Sequence, residues 1–155
     1  KTLYETAYIT PDLIASYYSE FLGLLSNKNN RLVWGGMIAL MTISDLKSKE
    51  LFASLDLISD TVNKGSTITI DSGIEIYAKL NKYSEYQDKV ENLLIDQLWK
   101  CPIKQLPKYM EKSIISITEL NKEIYKKIIN ERKPECEKDS QVKRLDKVLK
   151  QIDMI

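Results

Sequence analysis

Arg31 to Ser44 reads RLVWGGMIALMTIS, an apolar helical stretch with two adjacent glycines in its interior. Glycine costs about 1 kcal/mol relative to alanine inside a helix, so its use there asks for a packing reason. That reason is a repeat. At an offset of 37 residues, GMIALMTI (Gly36 to Ile43) falls on GIEIYAKL (Gly73 to Leu80). Gly36, Ala39, Leu40 and Ile43 match Gly73, Ile76, Tyr77 and Leu80, and a further 37 residues reach Met110, Ser113, Ile114 and Ile117. The spacing i, i+3, i+4, i+7 is one buried face of a helix, met three times. A small residue on that face is where one helix is expected to come close to its neighbour.

A second set of helices alternates with the first. Leu57, Ile58 and Val62 precede Leu93, Leu94 and Leu98 by 36 residues, and LIASYYSEFLGLLSNK places Phe21 and Leu22 at the matching points of an earlier copy. Two helices per unit of 20 to 50 residues is the pattern of an α-solenoid, in which each hairpin buries its apolar face on its neighbours. Helices are expected at 11–26, 31–44, 47–63, 69–82, 85–99, 107–118, 121–133 and 139–153. Pro11 and Pro107 stand at helix starts, and SEYQ (Ser84 to Gln87) fits a capping box. CPIKQLP, Cys101 to Pro107, reads as a linker turn, and TITI, Thr67 to Ile70, is a strand-like fragment that the repeat register assigns to a helix.

The pattern resembles HEAT repeats, whose first helix commonly has an arginine, a small pair and then Ala-Leu. Gly35-Gly36, Ser72-Gly73 and Ala39-Leu40 match it, while the arginine position holds Val33, Ile70 and Pro107. The resemblance runs from about Pro11 to Arg132. It implies an all-α, α-α superhelix in one domain spanning 1–155, with units at about 11–30, 31–65, 66–101 and 107–133. The helix SQVKRLDKVLKQI, with apolar Val142, Leu145, Leu149 and Ile152, is expected to close the array over 139–153 as a polar-faced cap. Before it, ERKPECEKDS (Glu131 to Ser140) reads as a polar loop.

Composition limits the chemistry. At 155 residues, 43% hydrophobic and 29% charged, the chain fits a globular domain and has no apolar run of the roughly 20 residues that span a bilayer, which points to a cytoplasmic protein off the membrane. Histidine is absent, which removes the commonest general base and most transition-metal sites. Cys101 and Cys136 have no CxxC spacing and read as reduced thiols. Neither a catalytic group, a metal site nor a cofactor is expected. Residues 1–99 have a net charge of −4 and residues 100–155 one of +5, a gradient able to steer an anionic partner.

Asp56, Asp60, Asp88 and Asp96 sit at helical spacing on polar faces, which explains them without acid-base work. NKGSTIT, Asn63 to Thr69, lacks both P-loop and GxGxxG spacing and reads as a helix end at Gly65 followed by a helix start. In HEAT-like arrays the second helices line the concave side. The polar positions there are Asp60, Asn63, Asp96, Gln97, Lys100, Lys126, Lys127 and Asn130, and with Trp99 they form the expected recognition surface for a protein or peptide partner. The expected role is a non-catalytic interaction module or scaffold. The alternative is nucleic-acid binding in the style of the HEAT-like DNA alkylation repair glycosylases, with tryptophans for stacking and the basic C-terminal third for phosphates. The near-neutral charge and the missing repeat arginines favour the first.

Overall fold

In the computed structural model the chain is all-helical, with no strand among the described residues. The structure describes residues 2–155, and the side chains of all of these but 2–4 and 7. The helices are α1 (Thr2–Ile9), α2 (Pro11–Ala15), α3 (Tyr18–Leu24), α4 (Asn30–Thr42), α5 (Ser48–Ala53), α6 (Leu55–Lys64), α7 (Thr67–Leu80), α8 (Ser84–Lys100), α9 (Leu106–Ser113), α10 (Lys122–Arg132) and α11 (Asp139–Asp153), with 3-10 turns at Ile114–Ser116 and Lys133–Glu135.

Several starts have a local cause. Asn29 Oδ1 accepts from the Arg31 N–H at 3.0 Å and so satisfies one of the free donors of the first turn of α4. Pro11 opens α2 and Pro107 is the second residue of α9, where a missing N–H is harmless. TITI lies in the first turn of α7, so the repeat register does override strand propensity there. The Gln141 side chain reaches back to the N–H groups of Glu137 and Lys138, both at 3.0 Å, and fixes the start of α11.

Several expectations are corrected. The segment 11–26 is two helices, because Tyr17 leaves the helical region (φ −92°, ψ 17°), and 47–63 is broken at Ser54 (φ −104°, ψ 17°). α1 was not foreseen. The capping box at Ser84 does not form: Tyr83 holds the cap position, and Gln87 Nε2 donates instead to the Asn81 carbonyl at 3.1 Å. The polar stretch from Glu131 is no open loop at its start, since α10 continues to Arg132, which is buried.

The helices fall into two compact units, one ending at Leu80 and the other running from Asn81 to Ile155. In the first, α4 packs on α1, α3 and α7, and α7 also packs on α6. Met37, Leu40, Ile43, Ile58, Ile74, Ile76 and Leu80 form its sealed centre, each contributing about 1.5–3 kcal/mol by burial. In the second, α9 packs on α8 and α11, and α10 on α8 and α11. Its centre holds Val90, Leu94, Leu98, Met110, Tyr125, Ile128, Leu145, Val148 and Ile152.

The repeat positions mark these buried faces. Gly36, Ala39, Leu40 and Ile43 are buried, as are Gly73, Ile76, Tyr77 and Leu80, and in the third copy Met110, Ser113 and Ile117, with Ile114 half-buried. A Cβ on Gly36 would lie 2.9 Å from the Phe21 carbonyl oxygen and 3.0 Å from Leu24 Cβ, both of the preceding α3 segment. A Cβ on Gly73 would collide with Val62 of the preceding α6. Gly35, by contrast, has open space where its side chain would be.

Candidate functional site

The expected recognition row divides between the units. Asp60 and Asn63 stand exposed on α6. Asp96, Gln97, Trp99 and Lys100 are on α8, and Lys126, Lys127 and Asn130 on α10. Gln97 is corrected: it is 5% exposed and belongs to the interior. Trp99 is half-buried, and the rest of the α8 and α10 set is exposed apart from half-buried Lys126.

Carboxylates already compensate the lysines of this row. Lys100 pairs with Asp96 one turn away. Lys126 Nζ lies 2.7 Å from Asp153 Oδ1 and 3.4 Å from Glu123, and the hydrogen bond it donates to Asp153 holds its ammonium above the ordinary range. Lys127 stands 3.9 Å from Glu131. Further along the same unit, Arg144 forks onto Glu111 at 2.8 and 2.7 Å and Lys133 meets Asp146 at 2.9 Å. These charges stabilise helix neighbours more than they project a field.

Two polar clusters lie deeper in the second unit. Arg132, 7% exposed, donates from Nη1 to the Leu98 carbonyl at 2.8 Å and from Nε and Nη2 to Glu135 at 3.3 and 3.0 Å. It thereby satisfies a carbonyl that the last turn of α8 leaves open. Cys101, a free thiol beside it at 3.5 Å, is pushed above its ordinary value mainly by burial. Such a thiol is a poor nucleophile. In the second cluster, Asn121 Nδ2 donates to Glu91 Oε1 at 2.6 Å and to the Ser116 carbonyl at 3.2 Å, while its Oδ1 accepts from the Thr118 N–H at 2.7 Å. Tyr125, fully buried alongside, has its hydroxyl held protonated far above the usual range by burial and by the Glu91 charge. Both clusters are hydrogen-bonded supports of helix ends. Asn81 is the exception: it is fully buried, and its side-chain nitrogen and oxygen make no hydrogen bond among the described residues.

The most exposed apolar surface of the first unit was missed. On α1 to α3, Tyr8 is 63% exposed, Ile9 81%, Leu13 66% and Tyr17 55%. Tyr17 also lines a groove of about 320 Å³ with Ile14, Glu20, Phe21 and Leu24. The groove is apolar apart from Glu20, and residues 2–26 include Glu5, Asp12 and Glu20 and no lysine or arginine. The signal was in the sequence: Leu13, Ile14, Tyr17, Tyr18, Phe21 and Leu22 are more apolar positions than one face of one helix can bury.

Among the described residues no group of three histidine, cysteine, aspartate or glutamate side chains is placed to hold a metal ion, and no helix is long and apolar enough to cross a membrane. Comparison with protein-family models, with curated proteins and with solved structures found no match.

Proposed function

We propose that this chain is a HEAT-like α-α superhelix that acts as a protein-interaction module without chemistry of its own, and that α1 to α3 receive an amphipathic, basic segment of a partner protein. The superhelix rests on the 37-residue register, in which Gly36 and Gly73 each admit the helix that precedes theirs. The docking surface rests on one observation: Tyr8, Ile9, Leu13 and Tyr17 stand exposed on consecutive short helices, and Tyr17 also lines an apolar groove with Ile14, Phe21 and Leu24. Contiguous exposed apolar surface on a globular unit marks an interaction site. Helix-in-groove docking suits its shape, and Glu20 on the groove, in a segment with acidic and no basic residues, favours a cationic partner.

This surface replaces the charged row on α6, α8 and α10 as the site of binding. The nucleic-acid alternative draws no support from that row, since phosphate binding needs cations free to release counterions and its lysines are engaged with carboxylates.

The test is binding of a fluorescent helical peptide of leucine and lysine, against a peptide of leucine and glutamate with the same pattern. The basic peptide is expected to bind saturably and the acidic one at least about tenfold more weakly. Leu13→Glu, at an exposed position, should abolish binding while leaving thermal unfolding unchanged. Equal binding of the two peptides, or full binding by that variant, would sink the proposal.

A further inference from the structure

Asn81 follows the last residue of α7 and opens the second unit. Its residue is 0% exposed, and neither its Nδ2 nor its Oδ1 meets a hydrogen-bond partner among the described residues. The backbone beside it is held, because the Asn81 carbonyl accepts from Gln87 Nε2 at 3.1 Å. A buried amide with both polar atoms unpaired is a standing cost to a fold, and such groups are satisfied by protein or by a bound molecule.

The surroundings of that amide are polar. Tyr125 on α10 is fully buried, and its hydroxyl feels the side chains of Glu91, Ser116 and Asn81. Asn81 therefore stands near the Tyr125 hydroxyl and yet outside direct bonding range. Tyr125 Oη is 3.5 Å from Glu91 Oε1, long for a bond between oxygens, whose usual range is about 2.5–3.0 Å. Ser116 Oγ donates to the Ser113 carbonyl at 2.9 Å and keeps its lone pairs for another donor. Two polar groups that are close but not bonded are commonly joined by a water. The chemistry of the amide agrees, since it asks for a donor and an acceptor at once. A cation would serve Oδ1 and repel the Nδ2 hydrogens, and an anion would face the Glu91 charge. Water gives and takes hydrogen bonds, and a buried one holds about two to four polar partners.

We propose that an ordered water is bound between the Asn81 amide and the Tyr125 hydroxyl, with Ser116 and Glu91 as its further partners. Asn81 is then a positioning residue: through the water it ties the turn before α8 to α10 and to the 3-10 turn at Ile114–Ser116. The network continues outward, because Glu91 Oε1 also accepts from Asn121 Nδ2 at 2.6 Å at the start of α10. The site is separate from the docking groove, so either can fail without the other.

The experiment is a high-resolution crystal structure of the full chain, joined to urea unfolding of Asn81→Leu. A solvent peak about 2.7–3.2 Å from an Asn81 side-chain atom and from Tyr125 Oη is expected. No peak there, or an Asn81 amide bonded directly to protein groups, would overturn the proposal. Asn81→Leu removes the amide with little change of volume. Its urea midpoint should fall, because the water and the Tyr125 hydroxyl lose a partner. An unchanged or raised midpoint would show that the amide had been unpaired, and would also overturn it. Should the leucine variant fail to fold, the crystallographic peak decides alone.

Discussion

Gly36 faces the carbonyl oxygen of Phe21 so closely that a methyl group on it would lie 2.9 Å away, whereas its neighbour Gly35 faces open space. Two identical residues, adjacent on one helix, therefore do different things. Gly36 lets α4 settle on α3, and Gly35 only weakens the helix.

Gly35→Ala should stabilise the protein by about 0.5–1 kcal/mol through helix propensity alone. Gly36→Ala should destabilise it by about 1 kcal/mol or more, since the backbone oxygen cannot step aside and overpacking outweighs the propensity gain. Urea unfolding of the two variants checks this. Shifts of the same sign would show that the close approach does not matter.

Arg132→Ala should cost about 1–3 kcal/mol, because it strips the Leu98 carbonyl of its buried N–H donor and leaves it only the weak Cys101 thiol. Arg132→Lys should recover little, having no planar fork to reach both the Leu98 carbonyl and Glu135. Thermal unfolding of both variants is the check, and a fully stable lysine variant would show that charge alone suffices.

The helix register was legible because Gly36, Leu40 and Ile43 recur with their spacing intact at Gly73, Tyr77 and Leu80. The breaks at Tyr17 and Ser54 were not, since neither residue has the proline or glycine chemistry that announces a break. Exposure was harder to read than helicity. Gln97 looked like surface by residue type yet is buried, and Leu13, apolar by residue type, is exposed. Val148, sealed in the second unit, was passed over in favour of Val142 and Leu149, which are half-buried. A shift of one position along α11 moves a side chain about 100° around the axis, enough to exchange the two roles.

Alkaline pH should weaken the fold. Cys101 and Tyr125 have ordinary values of 9.0 and 10.0, and in the folded chain burial raises both. The folded state then holds protons that the unfolded chain releases, so stability is full below pH 9 and falls as pH rises past 9 and then 10 toward the raised folded values. Urea midpoints at neutral pH and above pH 10 measure this, with Tyr125→Phe expected to flatten the decline. A decline as steep in that variant would remove Tyr125 from the explanation.

α11 should be held by its apolar face more than by its ion pairs. Leu145 and Ile152 are fully buried, so Leu145→Ala should cost about 2–5 kcal/mol. Arg144→Ala breaks a pair whose members are 45% and 41% exposed, and should cost about 1 kcal/mol or less. The Arg144 hydrogen bond lowers the Glu111 carboxyl below its ordinary 4.5, so that contribution is present above about pH 4.5 and lost as pH falls through the lowered folded value. Acid titration of unfolding midpoints in wild type and Arg144→Ala would show it as a difference that closes in acid.

The most direct measurement of the interaction role is a backbone amide NMR titration with the basic amphipathic peptide, and separately with a DNA duplex at low salt. Docking on α1 to α3 predicts saturable shifts at Tyr8, Ile9, Leu13, Tyr17 and Glu20 with the peptide, and no comparable response to DNA. Shifts with DNA alone, centred on the lysines between 100 and 150, would contradict it.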